Sequence, residues 1–176
     1  MSRVAISLCL IARNEEAMIG DCLKSAAMLC GQLVVVDTGS DDRTIAIARE
    51  LGAEVFERPW DDDFAAARNA ALEHATGDWV LVLDADERLA PGSAAAIRAV
   101  LDREGDSFDC GHLRLHDAST LDASPAEVVS GEKRLAEPMY IARLLRRTDD
   151  LRYEGIIRES VHAWVVRHGN RQRDCQ

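Results

Sequence analysis

Trp79-Val80-Leu81-Val82-Leu83 runs straight into Asp84-Ala85-Asp86-Glu87, five apolar residues followed by three acids in four positions. A short apolar run without alternation is a strand buried on both faces, the kind found in a parallel sheet covered by helices. The residues upstream repeat the pattern. Residues 4–11 form a continuous apolar strand, and a helix is expected over 15–28 with Ile19, Leu23, Ala26 and Ala27 on one side. A second strand follows at 33–36, then a helix at 44–51 with Ser40 or Asp41 as its cap. Val55 and Phe56 belong to a short third strand, residues 64–74 to a third helix, 79–83 to a fourth strand, and 93–103 to a helix announced by Pro91-Gly92-Ser93. Repeated strand–helix units of this size mean right-handed βαβ crossovers and an α/β fold.

Further along, the pattern changes. Residues 108–116 and 139–146 alternate, as half-exposed or antiparallel edge strands do, and 117–136 is polar and rich in Ser, Pro and Gly, which predicts a mobile loop. Residues 151–168 read as strand again. No linker divides the chain, so 1–176 is expected to be one domain, with a ligand-binding half over 1–90 and a second half over 91–176.

The composition bounds the possibilities. Of 176 residues, 47% are hydrophobic and 30% charged, enough to build a core and far from a disordered composition. No apolar run approaches the roughly 20 residues of a spanning helix. The N-terminus runs straight into the first strand and lacks the long apolar stretch and small-residue cleavage site of a secretion leader, so a cytoplasmic location is expected. Five cysteines without CxxC spacing speak against a disulfide framework or zinc knuckle. Residues 1–132 hold 25 acids against 11 Lys and Arg, a net −14, whereas 133–176 carry a net +4. An acidic body argues against nucleic-acid binding.

In parallel α/β sheets, ligands sit beyond the carboxyl ends of the strands. Here those ends read Ala12-Arg13-Asn14-Glu15, Asp37-Thr38-Gly39-Ser40-Asp41-Asp42 and Asp84-Ala85-Asp86-Glu87. Asp84 and Asp86 are two apart at a strand end, so both side chains are expected on the same side with Cα atoms roughly 6–7 Å apart. Two carboxylates that close repel unless a cation lies between them, and a hard divalent ion, Mg2+ or Mn2+, would also hold a diphosphate. His112 and His116 would be roughly 13 Å apart on a strand, too far to share an ion, and are expected to be structural.

Taken together, residues 4–15, the run Val34-Val35-Val36-Asp37-Thr38-Gly39-Ser40-Asp41-Asp42, the segment Phe64 to Ala67 with Arg68-Asn69, and Asp84-Ala85-Asp86 resemble a family 2 glycosyltransferase of GT-A fold. The likeness continues more weakly through 140–147 and 153–161, where a Tyr-x-Gly-x-Ile-x-Glu pattern recurs in bacterial members. That resemblance implies a Rossmann-like sandwich with a mainly parallel sheet, helices on both faces and a mixed C-terminal portion. It also implies a nucleotide-diphospho-sugar donor, often UDP-linked, a divalent metal (Mn2+ or Mg2+), and transfer to an acceptor hydroxyl with inversion. By position, Ala12, Arg13 and Glu15 would line the nucleotide pocket, Asp37 would meet the base or ribose, Arg68 the nucleotide or diphosphate, Asp84 the ribose, and Asp86 the metal. Glu159 is the expected general base, with Glu154 and Asp109 behind it.

Each residue also has a purely structural alternative. Glu15 could be a first-turn acid complementing a helix dipole, Asp37 and Asp41 turn and cap residues, Arg68 a partner of Asp61-Asp62-Asp63. Arg143, Arg146 and Arg147 read as the solvated face of an edge strand, or as holders of an anionic group. Many relatives carry His before the glutamate where this chain has Arg158, so the role of that His is either lost or met by His162 or His168. A nucleotide-sugar-binding protein without turnover is the alternative function. The acceptor is unidentified and would be held by the polar loop or a second subunit; homodimerisation and peripheral membrane contact stay open. A nucleotidyltransferase or a dinucleotide-dependent oxidoreductase is disfavoured, because no glycine-rich loop follows the first strand.

Overall fold

The structure is a computed structural model and describes residues 4–168 and 171–175. Met1 to Arg3, the start of the segment read as lacking a leader, lie outside the described residues. In chain order the elements are β1 (Ile6–Ala12), α1 (Ile19–Ala26), β2 (Gln32–Asp37), α2 (Thr44–Glu50), β3 (Glu54–Glu57), α3 (Phe64–His74), β4 (Trp79–Val82), α4 (Ser93–Glu104), β5 (Cys110–Leu115), α5 (Pro125–Ser130), β6 (Met139–Arg146), α6 (His162–Arg167) and β7 (Gln172–Cys175). One sheet has the order β3-β2-β1-β4-β6-β5-β7. β1 to β4 are parallel, β6 runs antiparallel to both its neighbours, and β7 lies parallel to β5.

The apolar strands are covered on both faces, as their lack of alternation predicts. Leu8, Leu10, Val35, Leu81 and Leu83 pack with Ile19 and Leu23 of α1, Ala48 of α2 and Ile97 and Leu101 of α4. Cys9, Val34, Val36, Val80 and Val82 pack on the other side with Ala65 and Ala71 of α3 and Trp164 of α6. Gly77, just before β4, lies so close to β1 that a Cβ there would come within 2.7 Å of the Ser7 backbone nitrogen. Only glycine lets the two central strands approach this way.

Several expected boundaries move. Residues 15–18 turn rather than join α1, because Met18 and Ile19 N–H both donate to the Glu15 carbonyl and the regular ladder starts only beyond them. Neither Ser40 nor Asp41 caps α2; Asp42 Oδ1 accepts the Thr44 N–H instead, at 2.8 Å. The polar stretch 117–136 contains α5, started by a reciprocal Ser124–Glu127 capping box with Pro125 in its first turn, and its ends are tied by an Ala118–Arg134 bridge. β5 and β6 are antiparallel as expected, but neither is an edge: β6 sits between β4 and β5, and β7 closes the far side. Within 151–168, the expected strand is replaced by a loop pinched by a Glu154–Ser160 bridge and then α6, whose Trp164 and Val165 fill the second core layer. Their spacing serves a helix face as well as a strand, a known ambiguity of short apolar runs.

Candidate active site

Sheet order places the rim. The chain winds β1 to β3 outward on one side, then crosses to set β4 on the other flank of β1, so the direction reverses between β1 and β4. Open α/β sheets bind ligands at such a reversal, beyond the carboxyl ends of the strands. Ala12 to Glu15 leave β1 there and Asp84 to Glu87 follow β4.

The β1 and β2 exits are tied together by short polar side chains. The Ala12 carbonyl accepts the Thr38 N–H at 2.9 Å. Asn14, at φ +54°, donates its N–H to Ser40 Oγ (2.9 Å), and its Oδ1 accepts from Asp41 N–H (2.9 Å). Glu15 N–H donates to Thr44 Oγ1 (2.7 Å), and Glu16 N–H to Asp42 Oδ2 (3.0 Å). Asp37 is buried; its Oδ1 accepts from Gly39 N–H (2.9 Å) and Ser40 N–H (2.8 Å), and its Oδ2 from the Ser40 hydroxyl. A carboxylate offers about four acceptor sites, so Asp37 retains capacity for a ligand on Oδ2. Arg13 is exposed and, among the described residues, has no hydrogen-bond or ion-pair partner. With Asp37, Thr38 and Ser40 it lines a cleft of about 360 Å³ completed by Ile45 and by Glu57 to Trp60 beyond β3.

Across β4 lies a second, ionic arrangement. Arg68 of α3 donates Nε to Glu159 Oε1 and Nη2 to Asp84 Oδ1, both at 2.6 Å. Its guanidinium lies 5.6 Å from the Tyr153 ring centroid. Arg143 of β6 donates to Asp84 Oδ2 at 2.7 Å and also to Glu87 Oε1. Glu87 Oε2 accepts the Asp84 N–H (2.9 Å), which fixes the turn. Burial alone would raise the Asp84 carboxyl, but Arg68 and then Arg143 outweigh it and hold it below the usual range. Glu87 is raised because burial exceeds the pull of Arg143. Burial opposes the charge on Arg68, and Asp84, Tyr153 and the hydrogen bonds to Asp84 and Glu159 more than restore it. Two donors of this cluster, Arg68 Nη1 and Arg143 Nε, are buried without an acceptor among the described residues.

The expected same-side pair of aspartates is not what forms. β4 ends at Val82, and 84–87 is a turn closed by Glu87 N–H to the Asp84 carbonyl, so strand alternation no longer applies. Asp84 turns into the arginines, while Asp86 is exposed and has no hydrogen-bond or ion-pair partner among the described residues. The Glu15 carboxyl is raised, by burial first and then by the negative charges of Asp86 and Asp42. Glu15 therefore belongs to the rim rather than to a helix dipole, since α1 begins only at Ile19.

Other expectations resolve plainly. Arg68 does not pair with the acidic triplet: Arg58 takes Asp61, the Trp60 indole takes Asp62, and Asp63 caps α3. Of Arg143, Arg146 and Arg147, read as a solvated face, only Arg147 is exposed. Arg143 joins the rim, whereas Arg146 pairs with Asp109 over Trp79 and Arg147 donates to the Gly77 carbonyl, both near the start of β4. Asp109 is thus at the opposite end of the sheet, and Glu154 is an exposed partner of Arg167 (3.4 Å). His168 sits with Asp150 (3.1 Å) and against Trp164, also away from the rim, and His162 is exposed at the start of α6. Arg158 is exposed at φ +58°. His112 pairs with Asp174, and among the described residues no group of three or more His, Cys, Asp and Glu is disposed to hold a metal. Trp60 is the residue the sequence did not mark. Glu87 and Tyr153 stand in quoted motifs without a role of their own, and Arg143 is one of three arginines with an anion-holding reading that the other two do not share. A single Arg amid Ile141, Leu144 and Leu145 was the available signal, because a buried guanidinium needs a carboxylate.

This doubly wound sheet, with its ligand rim at the β1–β4 reversal, is the GT-A architecture. The chain belongs to glycosyl transferase family 2, whose sequence model matches residues 7–168. It is 50% identical over 98 residues to a TPR repeat-containing protein of Synechococcus elongatus, covering 56% of this chain and 24% of that one. An uncharacterized glycosyltransferase of Rickettsia felis is 38% identical over 84 residues, 48% of this chain and 29% of the relative. Among solved structures, glucosyl-3-phosphoglycerate synthase from Mycobacterium tuberculosis, in complex with Mn2+, UDP and glucosyl-3-phosphoglycerate, superposes with a TM-score of 0.52 at 26% identity, over 62% of this chain and 43% of that one. The chain therefore spans less than half the length of each of these proteins.

Proposed function

We propose that this chain transfers a sugar from a nucleotide-diphospho-sugar, UDP-linked, to an acceptor hydroxyl with inversion. The observation that carries the proposal is the adjacency on one rim of the Arg13–Asp37 cleft, the exposed carboxylate of Asp86 and the Arg68–Glu159 pair. The nucleoside would occupy the cleft, with Ala12, Arg13 and Glu15 along its wall and the free capacity of Asp37 Oδ2 accepting from base or ribose. Asp84, held by two arginines, would accept from the ribose. The two orphaned arginine donors supply positive potential beside the place where a diphosphate would lie, where Arg geometry suits oxyanions.

The residues fit a divalent ion shared with substrate and do not fit an all-protein cage. Asp84 lies between two guanidiniums whose positive charge opposes a second cation there, so Asp86 is the carboxylate available, with Glu15 nearby. One or two carboxylates plus phosphate oxygens and water is the usual setting for Mg2+. Bound there, Mn2+ or Mg2+ would supply Lewis acidity to the departing diphosphate. Glu159 is mostly buried, and its Oε2 has no partner among the described residues, leaving it able to accept the acceptor's proton while Arg68 fixes Oε1. A cytoplasmic setting completes the proposal, in keeping with five buried free thiols.

The engagement of Glu159 by Arg68 favours one rival, a nucleotide-sugar-binding domain without turnover. Incubating the chain with UDP-sugars and Mn2+ decides between them. Metal-dependent thermal stabilisation by UDP together with release of UDP from a donor is the expected result. Tight UDP binding without release from any donor supports the rival, and no binding across nucleotides overturns both.

A further inference from the structure

The cleft that the donor reading assigns to the nucleoside contains a single aromatic side chain, Trp60. Nothing in the sequence pattern marked it. Its position follows from the topology. The order β3-β2-β1 puts the exit of β3 and the exit of β1 on either side of the exit of β2, where Asp37 sits. The junction is tight, because Arg58 N–H donates to the Asp37 carbonyl at 2.8 Å, two residues before Trp60. On the β1 side stands Arg13, whose guanidinium is without a partner among the described residues.

The indole is held from two directions. Its Nε1 donates to Asp62 Oδ1 at 2.8 Å, and Phe64 packs edge-on with ring centroids 4.7 Å apart at 66°. A loop side chain that only covers surface gains little from such bracing. A half-buried ring fixed in orientation at the mouth of a cleft is suited to present a flat apolar surface to a ligand.

We propose that Trp60 is the stacking platform for the donor's nucleobase, with the Arg13 guanidinium against the base's other face. The inference rests on the nucleotide-donor reading and specifies how that site grips its ligand. The dimensions agree. Strands two positions apart in a sheet are roughly 10 Å apart. A planar base with van der Waals contact of about 3.5–4.0 Å on each face needs roughly 7–8 Å. Both partners have the right chemistry, since indole stacks on any base and a guanidinium plane stacks on aromatic faces. Asp37, between them, would meet the base edge.

The chain carries its own reporter. It has three tryptophans, and the other two, Trp79 and Trp164, are 2% and 0% exposed in the core, so a ligand in the cleft can touch only Trp60. The test titrates the chain with UDP and Mg2+, following affinity by calorimetry and indole emission excited where uracil does not absorb. Inorganic pyrophosphate with Mg2+ serves as the base-free probe. In the wild-type chain, emission should change in step with the heat. Trp60→Leu should weaken UDP by about 5–150-fold, the range of one base–aromatic stack, while pyrophosphate affinity stays unchanged. Trp60→Phe keeps a ring and should hold UDP affinity within about threefold while removing the emission change. Saturation by UDP with emission unmoved, or full UDP affinity in Trp60→Leu, overturns the stacking role and leaves the nucleotide reading standing. A wild-type chain that binds no UDP removes both. Should Trp60→Leu fail to fold, the wild-type emission and Trp60→Phe still decide.

Discussion

The two flanks of the rim are built differently. On the β1–β2 side, hydroxyls, an amide and backbone N–H groups knit two loops, with partners such as Asn14–Ser40 and Glu15–Thr44 only 26 and 29 residues apart. On the β4 side, buried charges join residues far apart in the chain: Arg68 to Glu159 across 91 positions and Arg143 to Asp84 across 59. The first flank forms as soon as neighbouring βα units pair. The second exists only when β6 has docked on β4 and the loop before α6 has folded back over α3. A buried ion pair is costly to break and weak as a net source of stability. The ionic flank is therefore best understood as a positioning device, which sets the 84–87 turn and places Glu159 beside it.

If that contrast holds, the largest effect falls on catalysis. Glu159→Gln preserves an acceptor for Arg68, so UDP affinity should stay near wild type while transfer from a UDP-sugar drops by about 10²–10⁴. Undiminished transfer would make Glu159 a positioning residue only. Next in size is Arg143→Met, which strands Glu87 and takes one of two partners from Asp84; urea unfolding should show a loss of about 3 kcal/mol, only partly recovered in Arg143→Lys, whose point charge cannot bridge two carboxylates in the same way. On the hydrogen-bonded flank, Thr44→Val keeps the shape but leaves the Glu15 N–H without its acceptor, and the same assay should register about 1–2 kcal/mol. A loss equal to that of Arg143→Met would erase the distinction between the flanks. Asp86→Ala should alter stability by no more than about 0.5 kcal/mol, because the side chain is exposed and unpaired, while abolishing the metal dependence of UDP binding.

The smallest effect is local and set by pH. The Glu127 carboxyl is lowered to about 2 from an ordinary 4.5, chiefly by hydrogen bonds from Ser124 and then by Lys133. A depressed carboxyl stabilises above its ordinary value and loses that contribution as pH falls through the depressed one. Hydrogen exchange in α5 should therefore quicken as pH drops from about 4.5 toward 2, after correction for intrinsic rates, with the β1–β4 core still protected.

Much of this was legible in the residues themselves. Unalternating apolar runs identify β1, β2 and β4 because a strand buried on both faces has no polar side, and βαβ handedness then collects their acidic exits on one rim. The capping box at Ser124 and Glu127 was readable too, although surrounding Ser, Pro and Gly gave the segment the look of a loop. β7 was not: Gln172 to Asp174 are polar and exposed, and they become a strand because β5 offers an unpaired edge.

What the chain determines locally is thus the sheet, its helices and the acids at their ends, since periodicity and turn chemistry act over a few residues. Only tertiary structure decides which charges meet. Asp84 and Asp86 look alike in sequence, yet one lies between two guanidiniums from α3 and β6 and the other faces solvent. Electrostatic environment depends on distance and burial through space, and neither is written in the spacing of residues along the chain.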